Sequence, residues 1–435
     1  MVDRWTETTV GAVCAGIYDG PHATPKKTVQ GPIFLGISNL QDGRIDLSSS
    51  KHLSEADFAK WTRRVTPKLG DVVFSYETRL GEAAMIPEGL RCCLGRRMAL
   101  MRPDTAKVDA RYLLYAFLGP EFQEVIRSRT IHGSTVDRIP LKEFFEFPIT
   151  LPTIEVQRAI AHVLGTLDDK IELNRQMNQT LDEIARTLFR SWFVDFNPVR
   201  AKAEGRQPEG MDAETAALFP DRFVDSALGP IPEGWEWSTV NEIASLSKQT
   251  VKPGTFLDEQ FHHYSLPAFD KGETPILEFG GQIASNKTLI LPDTVLISKL
   301  NPHIPRIWLP NVHSGIRSIG STEFLALVPK ERNVRSFLFC LLKSRPFQQK
   351  FQSRVSGTTG SHQRVTPDGL LSIMATIPDR PLMLAFDQLA GRMLRYRQTN
   401  IAESETLAAL RDTLLPELLS GRMSSQVKPE DGESW

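Results

Sequence analysis

Between residues 160 and 192 the apolar or small positions fall at Ile160, Leu164, Leu167, Ile171, Leu181, Ala185, Leu188 and Trp192, in alternating steps of four and three. That is the spacing of a coiled-coil seam, and it predicts a helix whose narrow stripe requires another helix as partner. Nothing from Pro152 to Phe193 interrupts the pattern. At 1.5 Å of rise per residue such a helix runs about 60 Å, longer than a compact domain is wide. Asn174 and Asn178 take the two seam positions in the middle. Paired across the seam they fix its register, and left in water they are only a solvated stretch; the sequence leaves both readings open.

A second helix of the same kind is written downstream. A constant shift of 226 residues places Pro152 on Pro378, Ile160 on Phe386, Leu167 on Met393, Asn174 on Asn400, Leu181 on Leu407, Ile184 on Leu410 and Leu188 on Leu414. Upstream, "GSTVDRI" (133–139) faces "GSHQRV" (360–365) with Arg138 on Arg364, "GDVVFSY" (70–76) faces "PDTVLIS" (292–298), and "TETTVGAV" (6–13) faces "EWSTVNEI" (236–243). The chain therefore reads as a tandem duplication whose period is too long for a solenoid, each half a mixed strand-and-helix domain followed by a long helix. The expected class is α+β, with two mixed α/β domains separated by two long helices that form an antiparallel coiled coil. The expected boundaries are 1–152 for the first domain, 153–197 for its helix, 198–230 for a linker, 231–378 for the second domain, 379–423 for its helix, and 424–435 for a flexible tail.

Composition changes this picture little: 435 residues, 41% hydrophobic and 24% charged, suit two or three globular domains. Divided by segment, the formal charge is slightly positive in both globular parts and negative in the helical parts, which suits domains that touch a polyanion and helices that touch protein. The charged start "MVDRWTETTV" lacks a signal-peptide core and no run approaches a membrane span, so a cytoplasmic location is expected. Cys14, Cys92, Cys93 and Cys340 show no metal spacing and are expected as buried thiols, and His22, His132 and His362 lack ligand partners at metal spacing. In "RCCLGRRMALMRP" (91–103), alternation sets Arg97 and Met98 on opposite faces, predicting a solvated strand edge.

The segment "DFNPVRAKAEGRQPEGMDAETAALFPDRFVDSALGPIPEGWEW" (195–237) is rich in Pro, Gly and acid and marks the linker. Together with the run "LP…Q…I…L…LD.KI.LN…N..L…A..LF.SWFVDF.PV.AKAEG" (151–205), the "GST" and "SGTTGS" loops, and the closing "LRDTLLPELLSGRM" (410–423), it closely resembles the specificity subunits of type I restriction-modification enzymes over essentially the whole chain. The resemblance implies that each domain is a target recognition domain reading one half of a split, asymmetric DNA sequence. It further implies that the helices set the spacer and dock two methyltransferase subunits, through which motor-nuclease subunits join. S-adenosylmethionine, ATP and magnesium would belong to those partners, with no cofactor or metal bound by this chain. One departure stands out: the second helix carries charge at Arg397 and Arg411 where the first has Ile171 and Ala185, which loosens the expected seam.

Catalytic motifs are correspondingly missing. The nearest match to an adenine methyltransferase loop is "DFNPV" (195–199), without the second proline and the aromatic, and neither GxGxxG after a strand nor GxxxxGK[ST] occurs. The chain alone is expected to be inert. Base reading then falls to polar side chains in turn-rich loops: Tyr18, Lys26, Lys27, Tyr76, Arg79, Gly81, Ser134, Thr135 and Arg138 in the first domain, and Lys248, Lys299, Asn301, His303, Thr358, Thr359, Ser361 and Arg364 in the second. For each of these a structural or solvated role competes. At the helix ends, Leu188, Phe189, Trp192 and Phe193, and Leu414, Leu415, Leu418 and Leu419, are more apolar area than one seam uses, and predict exposed docking clusters for the methyltransferase subunits. The alternatives are a coiled-coil scaffold without nucleic acid, the specificity module of a related restriction or phage-defence system, and a complete enzyme, which the missing motifs oppose.

Overall fold

The computed structural model describes residues 5–48, 50–134, 136–312, 315–331, 334–356 and 363–423. The chain divides into two units, the first built from Met1–Ile171 and Thr406–Trp435 and the second from Glu172–Glu405.

In unit one a four-stranded antiparallel sheet runs in the order Cys14–Asp19, Met98–Pro103, Val72–Ser75, Ala83–Met85. Val72–Ser75 is buried on both faces, which explains its unbroken apolar run. Met98–Pro103 sits between two strands, not at an edge, so the solvated-edge expectation is corrected: the Met98–Met101 side chains are all buried. A three-stranded sheet joins Lys51–His52, Thr28–Leu35 and Cys92–Leu94, the last pair parallel, and Thr6–Thr9 pairs with Pro148–Leu151. Helix Ala110–Leu118 is capped by the Asp109 carboxylate and buries Tyr112 to Phe117 almost all round, the signature of a core helix; Pro120–Arg129 follows directly, with proline in its first turn.

Unit two repeats the plan. Its four-stranded sheet is Ala244–Leu246, Phe324–Pro329, Val295–Ser298, Ile307–Trp308, the strand pair is Glu236–Thr239 with Met374–Ile377, and the helices are Arg335–Lys343 and Arg345–Gln352. The remaining sheet has grown to five strands but keeps the parallel pair, Gln260–Tyr264 with Arg317–Gly320.

The first long helix spans Ile154–Phe193, 40 residues. The second runs through Arg380–Phe386, a π turn at Asp387–Gly391, and Arg392–Leu419. Each unit contains a stretch of both, packed antiparallel. In unit one Arg411 donates to Asp168 at 2.8 Å, while Ile160 and Leu164 share a core with Leu418 and Leu419 further along the second helix. In unit two Asn174 donates to the Glu403 carboxylate at 2.7 Å, Asn400 donates to the Asn178 side-chain oxygen at 2.9 Å, and Phe189 meets Phe386 with ring centres 5.7 Å apart. Asn174 is fully buried, so the asparagines are a paired polar layer and not a solvated stretch.

The two arginines expected to loosen the seam are both accommodated. Arg397 is buried and donates to Glu273 of its own globular domain at 2.7 Å; Arg411 is held between Asp168 and Asp412. A buried cation is tolerated only when paired in this way.

Candidate nucleic-acid interface

In unit one the strand Val72–Ser75 runs into a tight turn before Ala83. The Ser75 hydroxyl donates to the Glu77 carbonyl at 2.8 Å, and Thr78 then adopts a left-handed backbone at φ 72°. Three backbone hydrogen bonds tie this turn to its neighbours: Tyr76 N–H to the Arg97 carbonyl (3.2 Å), Thr78 N–H to the Asp137 carbonyl (3.4 Å), and Ile139 N–H to the Tyr76 carbonyl (2.9 Å). A bridge between Glu77 and Arg138 completes the junction.

Unit two builds the same junction from different residues. Ser298 donates to the Leu300 carbonyl at 3.0 Å, and Asn301 is left-handed at φ 50°. Lys299 N–H reaches the Glu323 carbonyl, Asn301 N–H the Gln363 carbonyl, and Val365 N–H the Lys299 carbonyl, at 2.9, 2.9 and 3.0 Å. Leu300 bridges Arg364. The backbone skeleton is thus duplicated bond for bond. It brings one turn, one neighbouring hairpin and the loop ahead of each long helix to a single place.

The side chains on that skeleton differ. In unit one Arg97, itself left-handed, pairs with Glu77 at 3.2 Å and donates to the Thr78 hydroxyl at 3.0 Å, while Arg138 is exposed. In unit two Glu323 stands where Arg97 does and takes a two-point contact from Arg364, 3.1 Å on each arm, which raises the guanidinium pKa. Guanidinium groups held at a half-exposed loop in fixed orientation suit recognition of guanine edges or phosphates.

The candidate readers scatter around this junction. Arg138, Asn301 and Arg364 belong to it. Ser134, Lys26, Lys27, Lys248 and His303 are exposed, and Lys299 is half-buried at the turn. Two are corrected. Tyr76 is 4% exposed, and burial with the nearby Glu77 pushes its phenol up to about 12, so it is a neutral core ring and not a base reader. Gly81 is a turn residue with φ 84° whose missing Cβ is filled by Gln123. Arg79 points inward to the Ile37 carbonyl and Glu82, and Tyr18 lies half-buried near the Arg102 guanidinium. Thr135, Thr358, Thr359 and Ser361 lie outside the described residues. Sequence reasoning missed Glu77, Thr78, Arg97, Leu300 and Glu323. The 226-residue shift was the available signal for Arg97 and Glu323 alone, since the turn residues Glu77 and Leu300 stand 223 apart.

The exposed docking clusters are also corrected. Phe189, Trp192 and Phe193 are 3–5% exposed inside the core of unit two, with Leu188 packed against it. Leu418 and Leu419 are buried in the core of unit one, with Leu414 and Leu415 against it. The extra apolar area seats the end of each long helix in the core of the globular domain from the other half of the duplication, Phe189, Trp192 and Phe193 with Val240 and Phe337, and Leu418 and Leu419 with Val10 and Phe122.

Among the described residues no cluster of three or more His, Cys, Asp or Glu could hold a metal, and no helix is long and apolar enough to cross a membrane. Residues 41–183 match the family model described as the type I restriction modification DNA specificity domain. The chain is 25% identical over 409 residues to the type I restriction enzyme HindI specificity subunit of Haemophilus influenzae, covering 82% of this chain and 87% of that one. It is 22% identical over 389 residues to the MjaIX specificity subunit of Methanocaldococcus jannaschii, covering 86% and 82%. The family model and both relatives indicate a type I specificity subunit. The fold of such a subunit is shared as well: the type I S subunit of M. genitalium covers 96% of both chains with a TM-score of 0.55 at 17% identity. The specificity-subunit family supports a DNA-recognition role.

Proposed function

We propose that this chain is the DNA sequence-recognition subunit of a type I restriction-modification complex, each globular domain reading one half of a bipartite asymmetric target. The duplicated loop junction carries the reading: an identical backbone frame presents different side chains in each copy, as two readers of two different half-sites require. The paired helices set the spacer between the halves, and the polar layer of Asn174, Asn178, Asn400 and Glu403 holds their register. Chemistry comes from partners, with two methyltransferase subunits supplying S-adenosylmethionine-dependent adenine methylation and motor-nuclease subunits supplying ATP- and magnesium-dependent cleavage.

With the helix ends buried, the docking faces move one turn back. Ile184 and Leu410 occupy the same place in the duplication and are 45% and 47% exposed, so each copy can engage one methyltransferase subunit by the same contact. Ile184 opens onto a groove of about 640 Å³ shared with Leu188, Met211 and Leu389.

Methylation mapping in a host that expresses this chain with its methyltransferase tests the reading. Arg138→Ala relaxes one half of the target only and Arg364→Ala the other only. Loss of both halves from either change, or duplex binding that does not weaken steeply as salt rises, overturns it.

A further inference from the structure

We infer that unit one carries an open docking groove for an extended, proline-containing basic segment of another chain. The duplication builds this groove twice and closes it only once, independently of how the protein reads DNA.

The groove of unit one, about 330 Å³, lies between the strand pair Thr6–Thr9 with Pro148–Leu151, the joint between helices Ala110–Leu118 and Pro120–Arg129, and the end of the second long helix. Phe122, Ile149 and Leu419 form apolar walls. Unit two has the same groove at matching positions, with Phe347, Ala375 and Phe193 as walls, reduced to about 190 Å³.

Two things fill the difference in unit two. The chain's own linker lies along the groove, Pro230 and Ile231 lining it, with Ile231 5% exposed and tied into a short strand pair. Lys350 then reaches across the mouth, its ammonium 4.8 Å from the Trp237 ring and donating to the Met374 carbonyl at 2.8 Å. Unit two therefore displays what such a groove accepts, an extended segment pairing proline with a β-branched residue. Proline-containing segments suit this because little backbone entropy is lost when they dock.

In unit one neither closure is present among the described residues. Val125 holds the place of Lys350, and Glu7 and Glu121 hold those of Trp237 and Pro346. Both carboxylates are exposed at the mouth. Their charge selects a basic occupant. The chain's C-terminal stretch 424–435 is a poor fit on this ground, with Lys428 against Glu430, Asp431 and Glu433.

The test uses the full chain and a fluorescein-labelled peptide of residues 226–235 bearing Glu233→Lys, read by fluorescence anisotropy. The expected result is saturable binding that weakens at least tenfold in the chain carrying Glu7→Lys with Glu121→Gln, both exposed sites, with folding checked by circular dichroism. The unmodified acidic peptide should bind at least tenfold more weakly than the lysine form. Equal binding by the double variant overturns the inference, as does equal binding of the two peptides. Removing residues 1–4 or 424–435 should leave affinity unchanged, and a tenfold gain from either deletion would assign the groove to this chain's own end instead. Two copies of the chain per peptide-free particle in sedimentation, abolished by the double variant, would assign it to a second copy and also overturn the inference.

Discussion

The two long helices end on equivalent apolar residues, aromatic in the first and aliphatic in the second. Phe189, Trp192 and Phe193 in unit two match Leu415, Leu418 and Leu419 in unit one, and both sets press into the core beneath them. The aromatic end does more. Phe189 meets Phe337 at 5.3 Å, Trp192 stands edge-on to Phe219 of the linker at 5.1 Å, and Phe193 meets Trp235 at 5.8 Å. Flat rings of this size bridge from the helix to the linker and to Trp235 just ahead of the strand Glu236–Thr239, so the connection between the halves becomes part of the core. Leucines reach only what they touch, and the surface beside Leu419 stays a groove. A duplicated scaffold thus keeps position and burial while side-chain size decides whether the neighbouring segment is captured.

The largest expected effect breaks that contrast at its aromatic end. Trp192→Ala removes a ring buried among Phe193, Phe219 and Phe386 and should cost about 3–5 kcal/mol, whereas Leu419→Ala, lining an open groove where neighbours can relax, should cost about 2–3 kcal/mol. Denaturant unfolding followed by limited proteolysis reads both. Equal losses, or a linker around Phe219 that resists protease in Trp192→Ala as in the parent, would remove the distinction.

Next comes the seam. Unit one crosses it with a half-exposed ion pair, Asp168 with Arg411, and unit two with the buried asparagine layer. Asn174→Ala removes a fully buried amide and its 2.7 Å hydrogen bond to Glu403 and should cost about 1–3 kcal/mol, while Asp168→Asn, which leaves Arg411 its Asp412 partner, should cost about 1 kcal/mol or less. A greater loss from Asp168→Asn than from Asn174→Ala, measured by the same unfolding, would reverse the assignment of which layer holds the helices together.

Why some of this was legible in the sequence and some was not follows from range. The heptad steps and the 226-residue shift are local or periodic signals that carry the long helices and the duplication, and the length of the linker between the halves carries the antiparallel pairing. Asn174 and Asn178 were visible as polar seam positions, but their pairing needed the other helix. Arg397 looked like a defect because its partner, Glu273, lies 124 residues away in sequence. The aromatic helix ends were seen as surplus apolar area, and sequence alone could not tell a docking face from a seat on the adjoining domain. The loop junction was half-legible: Arg138 and Arg364 stood out through repetition, whereas left-handed Thr78 and Asn301, which shape the turns, carry no glycine to announce them.

The smallest expected effect is a pH response that separates the units. In the parallel strand pair of unit one, Ile33 and Phe34 lie beside Cys92 and Cys93; in unit two His262 and His263 take those places beside Ser318 and Ile319. Phe34 cannot titrate, and burial pushes the Cys92 and Cys93 thiols up to about 12, far from neutrality. His263 can titrate. Burial lowers its pKa below the ordinary 6.5, with Glu278 at 2.5 Å opposing that fall and Lys287 adding to it. A histidine whose folded pKa is depressed binds its proton more readily when unfolded, so its contribution to stability is intact above pH 6.5 and is lost progressively as pH falls below that value. Hydrogen exchange between pH 7 and pH 5, corrected for the intrinsic rate, should therefore show Gln260–Tyr264 losing protection while Thr28–Leu35 holds it. His263→Phe, which installs the residue that unit one already carries, should abolish the difference. If Gln260–Tyr264 loses protection to the same extent in that variant, the acid sensitivity of unit two arises elsewhere than at this strand.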